Sequence, residues 1–263
     1  MTREELGKTL VLDLAASLRK ELLPVERAGI DSVLEERFRR RLAGHYPGDA
    51  VIGEELPELR PWEGSGWIID PVDGTSNYRA GIPHYCVSLA YIENERPILA
   101  WIVDPRRQVL YEAARGRGAR RDGKPIRVLQ DRGGPHSLVA VARRLRRRRP
   151  EIAGRIASAV QERCYGALAL EMAWVAGGCL SAGVWADGRI WDIAAGVLIV
   201  EEAGGTVVDL DGEPLSFAGG AEEMRSRRAT FSASAPIFRR FLQGLLSPGG
   251  SRRVDPPEPS GAV

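Results

Sequence analysis

Cysteine and histidine are scarce in this chain, with three of each among 263 residues. Cys86, Cys164 and Cys179 stand far apart in apolar surroundings with no CxxC pair, and no histidine lies at metal-ligand spacing. A disulfide framework and a zinc site are therefore excluded as organising features, and the thiols read as reduced packing residues. Long apolar runs are also missing. No stretch approaches the roughly 18 residues a membrane helix needs, and the charged opening Met1-Thr2-Arg3-Glu4-Glu5 lacks a signal-peptide core, so the expectation is a cytoplasmic protein without a membrane span. Nor does one sign of charge dominate: 37 basic and 35 acidic residues leave a net charge of +2, so any electrostatic effect must be local. The one dense run is Arg143-Arg144-Leu145-Arg146-Arg147-Arg148-Arg149. With 44% hydrophobic and 27% charged residues and no internal repeat, the chain is globular, long enough for one large domain or two tightly packed halves.

Thr2 and Glu5 have capping-box spacing, and Leu6, Leu10, Leu14, Leu18 and Leu22 recur every four residues, which predicts an amphipathic helix stopped at Pro24. A second helix, with Val33, Leu34, Phe38 and Leu42 on its apolar side, is expected from near Asp31 to Gly44. Short strands at 50–53 and 66–69 run straight into acidic residues. Residues 84–93, 97–103 and 109–114 read as a meander, followed by a tight turn at Asp122-Gly123. After Gly133-Gly134-Pro135 the pattern alternates: strand 137–142, helix 151–161, helix 168–176, strand 180–185, helix 192–203, strands 206–208 and 229–234, and helix 236–246. Two halves, 1–134 and 135–246, are expected to form a layered α/β sandwich, with 247–263 as a disordered tail.

Glu54 and Glu55 after Val51-Ile52-Gly53, Asp70 and Asp73 around Pro71, and Asp192 after Trp191 each interrupt or end an apolar segment. Clustered carboxylates of this kind repel one another and raise their own pKa values unless cations or arginines compensate. Oxygen donors without His or Cys select a hard divalent ion, and magnesium, with octahedral oxygen at about 2.0–2.1 Å, is the natural candidate. A strand ending at Asp70 and a Pro-fixed turn would aim both aspartates at one point beside the Val72 carbonyl, while Gly74-Thr75 reads as a helix start whose N–H groups bind phosphate. Two cations about 3.5–4 Å apart can activate a water and stabilise a leaving oxygen. Taken singly, each element has a plainer reading: a turn, a solvated Glu pair, a helix N-cap. The combination favours the chemistry.

The motifs Ile52-Gly53-Glu54-Glu55, Trp67-Ile68-Ile69-Asp70-Pro71-Val72-Asp73-Gly74-Thr75-Ser76-Asn77-Tyr78 and Trp191-Asp192-Ile193-Ala194-Ala195-Gly196 resemble, collinearly, the inositol monophosphatase family of magnesium-dependent, lithium-sensitive phosphatases. The resemblance implies an αβαβα sandwich and a homodimer. It implies Glu54, Asp70 and the Val72 carbonyl as ligands of one Mg2+, Asp70, Asp73 and Asp192 as ligands of a second, and a weak third ion near Glu54. Thr75 with Asp31 would orient the attacking water, and Gly74 and Thr75 would hold the phosphate; Gly166 to Leu168 matches a substrate-contacting segment, and Lys20 falls near a mobile loop. One departure concerns the leaving group: where the family usually has an acid that hydrogen-bonds sugar hydroxyls, this chain has Trp185, with Asp187 close enough to substitute.

The leading expectation is hydrolysis of a phosphate monoester on a small polyol or sugar. Fructose 1,6-bisphosphate, 3′(2′),5′-nucleoside bisphosphates, histidinol phosphate and NADP are the alternatives on the same fold. Polyanion or nucleic-acid binding through Arg143 to Arg149 is the non-enzyme reading; a solvated helix edge without interleaved aromatics is the plainer one.

Overall fold

A computed structural model describes residues 1–19, 29–58, 60–209, 211–219 and 231–246. Lys20, the Leu22–Pro24 stretch, the start of the expected 229–234 strand and the 247–263 tail lie outside the described residues.

Helix α1 (Arg3–Leu18) starts at the expected capping box: the Thr2 hydroxyl accepts from the Glu5 N–H at 3.2 Å and the Glu5 carboxylate accepts from the Thr2 N–H at 2.8 Å. Helix α2 (Ile30–Ala43) buries Asp31, Leu34, Glu35, Phe38, Arg39 and Leu42 on one stripe. Val33 departs from the expectation. It is 58% exposed because it lies about 100° around the helix from Leu34, off that stripe.

The first sheet has the order β1-β2-β3-β4-β5-β6-β7, comprising Val51–Gly53, Gly66–Asp73, Cys86–Glu93, Arg96–Asp104, Val109–Ala114, Ala119–Arg121 and Lys124–Pro125. Only the β1/β2 pair is parallel. The short helix α3 (Thr75–Ala80) follows β2. The second sheet has the order β11-β12-β10-β8-β9. It uses β8 (Leu138–Val141), β9 (Gln161–Arg163), β10 (Ala182–Trp185), β11 (Thr206–Asp209) and β12 (Phe231–Ser234), with β8 parallel to both β9 and β10. The remaining helices are α4 (Arg143–Arg148), α5 (Pro150–Ala159), α6 (Leu168–Ala176), α7 (Ile190–Glu202) and α8 (Pro236–Leu246).

α1 and α2 cover one face of the first sheet, α6 and α7 lie between the sheets, and α4, α5 and α8 lie beyond the second, which gives the αβαβα layering. One apolar core joins Ile52, Ile68 and Ile102 of the first sheet to Val139, Val184 and Phe238 of the second half. A separate core lies under α1 and α2.

Three expectations need correction. Residues 161–163 are strand β9 and not the end of a helix, because the chain turns extended at Val160 and pairs with β8. Helix α7 begins at Ile190, two residues before Asp192, which therefore sits inside the first turn. Only Cys86 is buried; Cys164 and Cys179 are exposed.

Candidate metal centre

Strand β2 does not end at Asp70 as expected but continues through Asp73. Asp70 pairs with Ser88 and Asp73 with Cys86, so β2 carries a bulge there. Pro71 has no N–H for the ladder, and the Val72 N–H turns back to Asp70 Oδ1 at 2.9 Å. The bulge aims both aspartates inward, 2% and 6% exposed. Asp192 arrives from the first turn of α7, where Oδ2 accepts the Arg189 N–H at 2.8 Å.

Carboxylate oxygens of Asp70, Asp73 and Asp192 all lie within 4.8 Å of one another. The charge of Arg189 acts on Asp192 and favours its ionised form. Burial, reinforced by Asp73, Glu54 and Asp192, pushes the Asp70 carboxyl well above the carboxylate range; burial with Asp192 and Glu171 does the same to Asp73. Asp192 is pushed up to about 6, chiefly by burial, against the opposing Arg189 N–H. A dry, all-oxygen, mutually repelling set of this kind is what a hard divalent cation relieves, so these residues fit one.

Asp73 is also held by the second half of the chain. Its two oxygens accept the N–H groups of Leu168 (3.1 Å) and Ala169 (2.8 Å) at the start of α6, and Cys86 Sγ lies 3.5 Å from Oδ2. Gly74 must be glycine: its φ is +90°, and a Cβ there would come within 3.0 Å of Ala167 Cβ and 3.1 Å of the His84 carbonyl. Gly166 adjoins it, and Asn77 ties both neighbouring loops by donating to the His84 and Tyr165 carbonyls, each at 2.8 Å.

Asp31 comes to the same region from the first turn of α2. It is 3% exposed, with Arg79 at 3.8 Å from Oδ2 and, among the described residues, no hydrogen-bond partner on Oδ1. Burial raises its pKa. The Thr75 hydroxyl donates to the Val72 carbonyl at 2.9 Å, on the Asp31 side of the site. Glu54 stands just outside the tight trio; solvent reaches its side chain, yet desolvation and the charges of Asp192, Glu55 and Asp31 push it up to about 7. Asp187 is placed elsewhere. Its carboxylate pairs with Arg148 at 2.6 Å, facing α4.

Two supporting pairs escaped the sequence reading. Glu35, fully buried, is bridged by Arg39 at 2.7 Å and accepts the Glu55 N–H at 2.9 Å, so it fixes the turn that presents Glu54. A Cβ on Gly53 would meet the Glu35 carboxyl at 2.3 Å. The i, i+4 spacing of Glu35 and Arg39 on an apolar stripe was the available signal. Glu171 on α6 accepts the Trp185 indole N–H at 2.6 Å and the Gly166 N–H at 2.8 Å; nothing in the spacing of those residues announces that contact.

Residues 23–239 match the inositol monophosphatase family. The chain belongs to that family. It is 35% identical to Nus factor SuhB of Xylella fastidiosa over 86% of this chain and 84% of that protein. It is 34% identical to the fructose-1,6-bisphosphatase/inositol-1-monophosphatase of Aquifex aeolicus over 70% and 72%. The structure of inositol monophosphatase from Anabaena superposes with a TM-score of 0.80 at 28% identity, covering 92% of this chain and 94% of that one. Inositol monophosphatase family membership supports phosphatase activity on this fold, and the aspartate trio could bind the metal such activity uses. Among the described residues, no helix is long and apolar enough to cross a membrane.

Proposed function

We propose that this protein hydrolyses a phosphate monoester on a small polyol or sugar in a magnesium-dependent reaction. The observation that carries the reading is the close trio Asp70, Asp73 and Asp192, whose oxygens lie within 4.8 Å of one another, adjoining the Asp31–Thr75 pair. Glu54, Asp70, the Val72 carbonyl, Asp73 and Asp192 would hold two Mg2+ ions, with a weaker third near Glu54. Bound there, magnesium supplies positive charge for the phosphate oxygens and lowers the pKa of water.

The chain's own groups do the positioning. Thr75 and the unpaired Oδ1 of Asp31 orient a water in line with the phosphorus, and Asp31 takes its proton. The Gly74 and Thr75 N–H groups, at the open first turn of α3, hold phosphate oxygens, and the 166–168 segment with Asp192 borders the substrate. A new P–O bond forms to water, the ester P–O bond breaks, and the departing alkoxide takes up a proton. Inorganic phosphate and a free alcohol result. Cytoplasmic location, homodimerisation and lithium sensitivity accompany this reading through the family resemblance.

A panel of inositol, sugar and nucleotide phosphates assayed for phosphate release tests it. Release should require Mg2+, stop with EDTA and fall with added lithium. A folded protein releasing no phosphate from any member would overturn the assignment.

A further inference from the structure

Strand β10 ends at Trp185, whose indole is buried and lies back over its own strand: a Cβ on Gly183 would run into the ring, so glycine is what seats it. From that seat the indole N–H donates to Glu171 Oε2 at 2.6 Å. Glu171 stands in the first turn of α6, also buried, and its other oxygen accepts the Gly166 N–H at 2.8 Å. Its charge is met by these N–H donors together with the backbone of Ala167 and Tyr165. A phenyl ring would fill the seat at 185 without donating, and packing by itself gives no reason to bury a carboxylate at 171.

Each end of this bond leads to one aspartate of the trio. The N–H groups of Leu168 and Ala169, in the same first turn of α6 as Glu171, hold both oxygens of Asp73. Arg189, at the end of the short connection that follows Trp185, holds Oδ2 of Asp192 through its N–H. The path from Asp73 to Asp192 thus runs through the start of α6, the Glu171–Trp185 bond and residues 186–189. Further along, α6 and α7 touch where a Cβ on Gly196 would come within 2.6 Å of Met172 Sδ. That contact holds the two helices together, and the Glu171–Trp185 bond fixes their starts, where the aspartates are.

We propose that Glu171 and Trp185 are positioning residues for the metal centre: the hydrogen bond between them sets the spacing of Asp73 and Asp192, and thereby the affinity of the trio for its divalent cation. This rests on the metal-dependent phosphatase reading and deepens it with two residues that act through the aspartates. A small, hard cation tolerates little departure from octahedral oxygen, so a small shift between two carboxylates is felt as lost affinity. Groups that orient metal ligands from behind carry much of a site's strength for this reason. Position 185, where the family usually has an acid, is turned inward here and serves the support of the centre.

The test titrates the full chain with Mn2+, followed by electron paramagnetic resonance of the free ion, and with Mg2+ in competition, no ester being present. It uses the wild type, Trp185→Phe, Glu171→Gln, the double variant, and Trp101→Phe, which alters a buried tryptophan of the core under α1 and α2. Trp185→Phe and Glu171→Gln should each weaken both ions about tenfold. The double variant should lose no more than the weaker-binding single one, because both remove the same bond. Trp101→Phe should lower Tm and keep the affinity. In Trp185→Phe, phosphate release at saturating Mg2+ should return to near the wild-type kcat, while the Mg2+ concentration for half-activation rises by the same factor as the loss of affinity. Unchanged affinity in the single variants, losses that multiply in the double one, or an equal loss in Trp101→Phe overturns the proposal. If one single variant does not fold, the other decides against Trp101→Phe in the same way. Cation binding without phosphate release from any ester defeats the phosphatase reading alone and leaves the positioning role to the measured affinities; a folded wild type that binds neither ion overturns both.

Discussion

Asp73 directs both carboxylate oxygens at backbone N–H groups of α6, whereas Asp192 gives one to the Arg189 N–H and leaves the other facing the trio. The same substitution therefore has opposite consequences at the two positions. In Asp73→Asn the amide NH2 opposes an N–H donor, a cost of about 1–3 kcal/mol. In Asp192→Asn the acceptor for Arg189 survives and a repelling charge disappears. The pH dependence follows. Without a cation, the folded Asp192 carboxyl titrates at about 6 against an ordinary 3.8, so between those values the native chain keeps a proton that the unfolded chain has released. That stabilisation is complete below the ordinary value and is lost as pH rises through the folded one. In EDTA, the Tm advantage of Asp192→Asn over the wild type should grow from about pH 4 to about pH 7, while magnesium-dependent phosphate release is lost. A Tm difference that stays constant across that range would contradict the burial cost assigned to this carboxylate.

Among the elements, those with a single strong period were legible. α1 with its capping box, the β3–β5 meander and α6 come from leucines at four-residue intervals, short apolar runs rich in Val, Ile and aromatic residues, and a Leu/Ala/Met stretch. The β2 bulge, β9 and the start of α7 were not. The first two depend on partners distant in sequence, the Ser88 and Cys86 register and β8, and the third on the local fold-back of the Asp192 carboxylate onto the Arg189 N–H. The Glu35–Arg39 pair acts at this scale, joining α2 to the turn after β1. Glu35→Ala leaves a buried guanidinium without its carboxylate, at a cost of about 3–5 kcal/mol, and frees the Glu55 N–H. Its Tm should fall far below that of Glu36→Ala on the exposed face, and kcat should fall with it as Glu54 loses its support. A loss of Tm with kcat unchanged would confine Glu35 to packing.

Across the whole molecule, the candidate centre gathers α2, the β1–β2 connection, β2, α6 and α7, so it draws on the first sheet and on the helical layers packed against its two faces. The carboxylates themselves were readable, since each breaks an apolar segment, and so was the family through its collinear motifs. Glu171 with Trp185, and Asp187 with Arg148, could not be read, because they join elements whose adjacency is a product of the fold. A centre made of such distant pieces is complete only when α6 and α7 have docked on the first sheet. Magnesium should therefore slow unfolding while leaving the refolding rate nearly unchanged, as measured by stopped-flow fluorescence of the tryptophans. An equal acceleration of refolding would place the centre early in folding.

The hydrogen bonds from Leu168 and Ala169 to Asp73 span 95 and 96 residues. During synthesis, a chain that has emerged only as far as the first sheet carries Asp70 and Asp73 without the helix whose N–H groups satisfy Asp73 or the third aspartate that completes the set. The ribosome thus delivers two carboxylates long before it delivers their complement, and affinity for a cation arises late in translation, when α6 and α7 have followed.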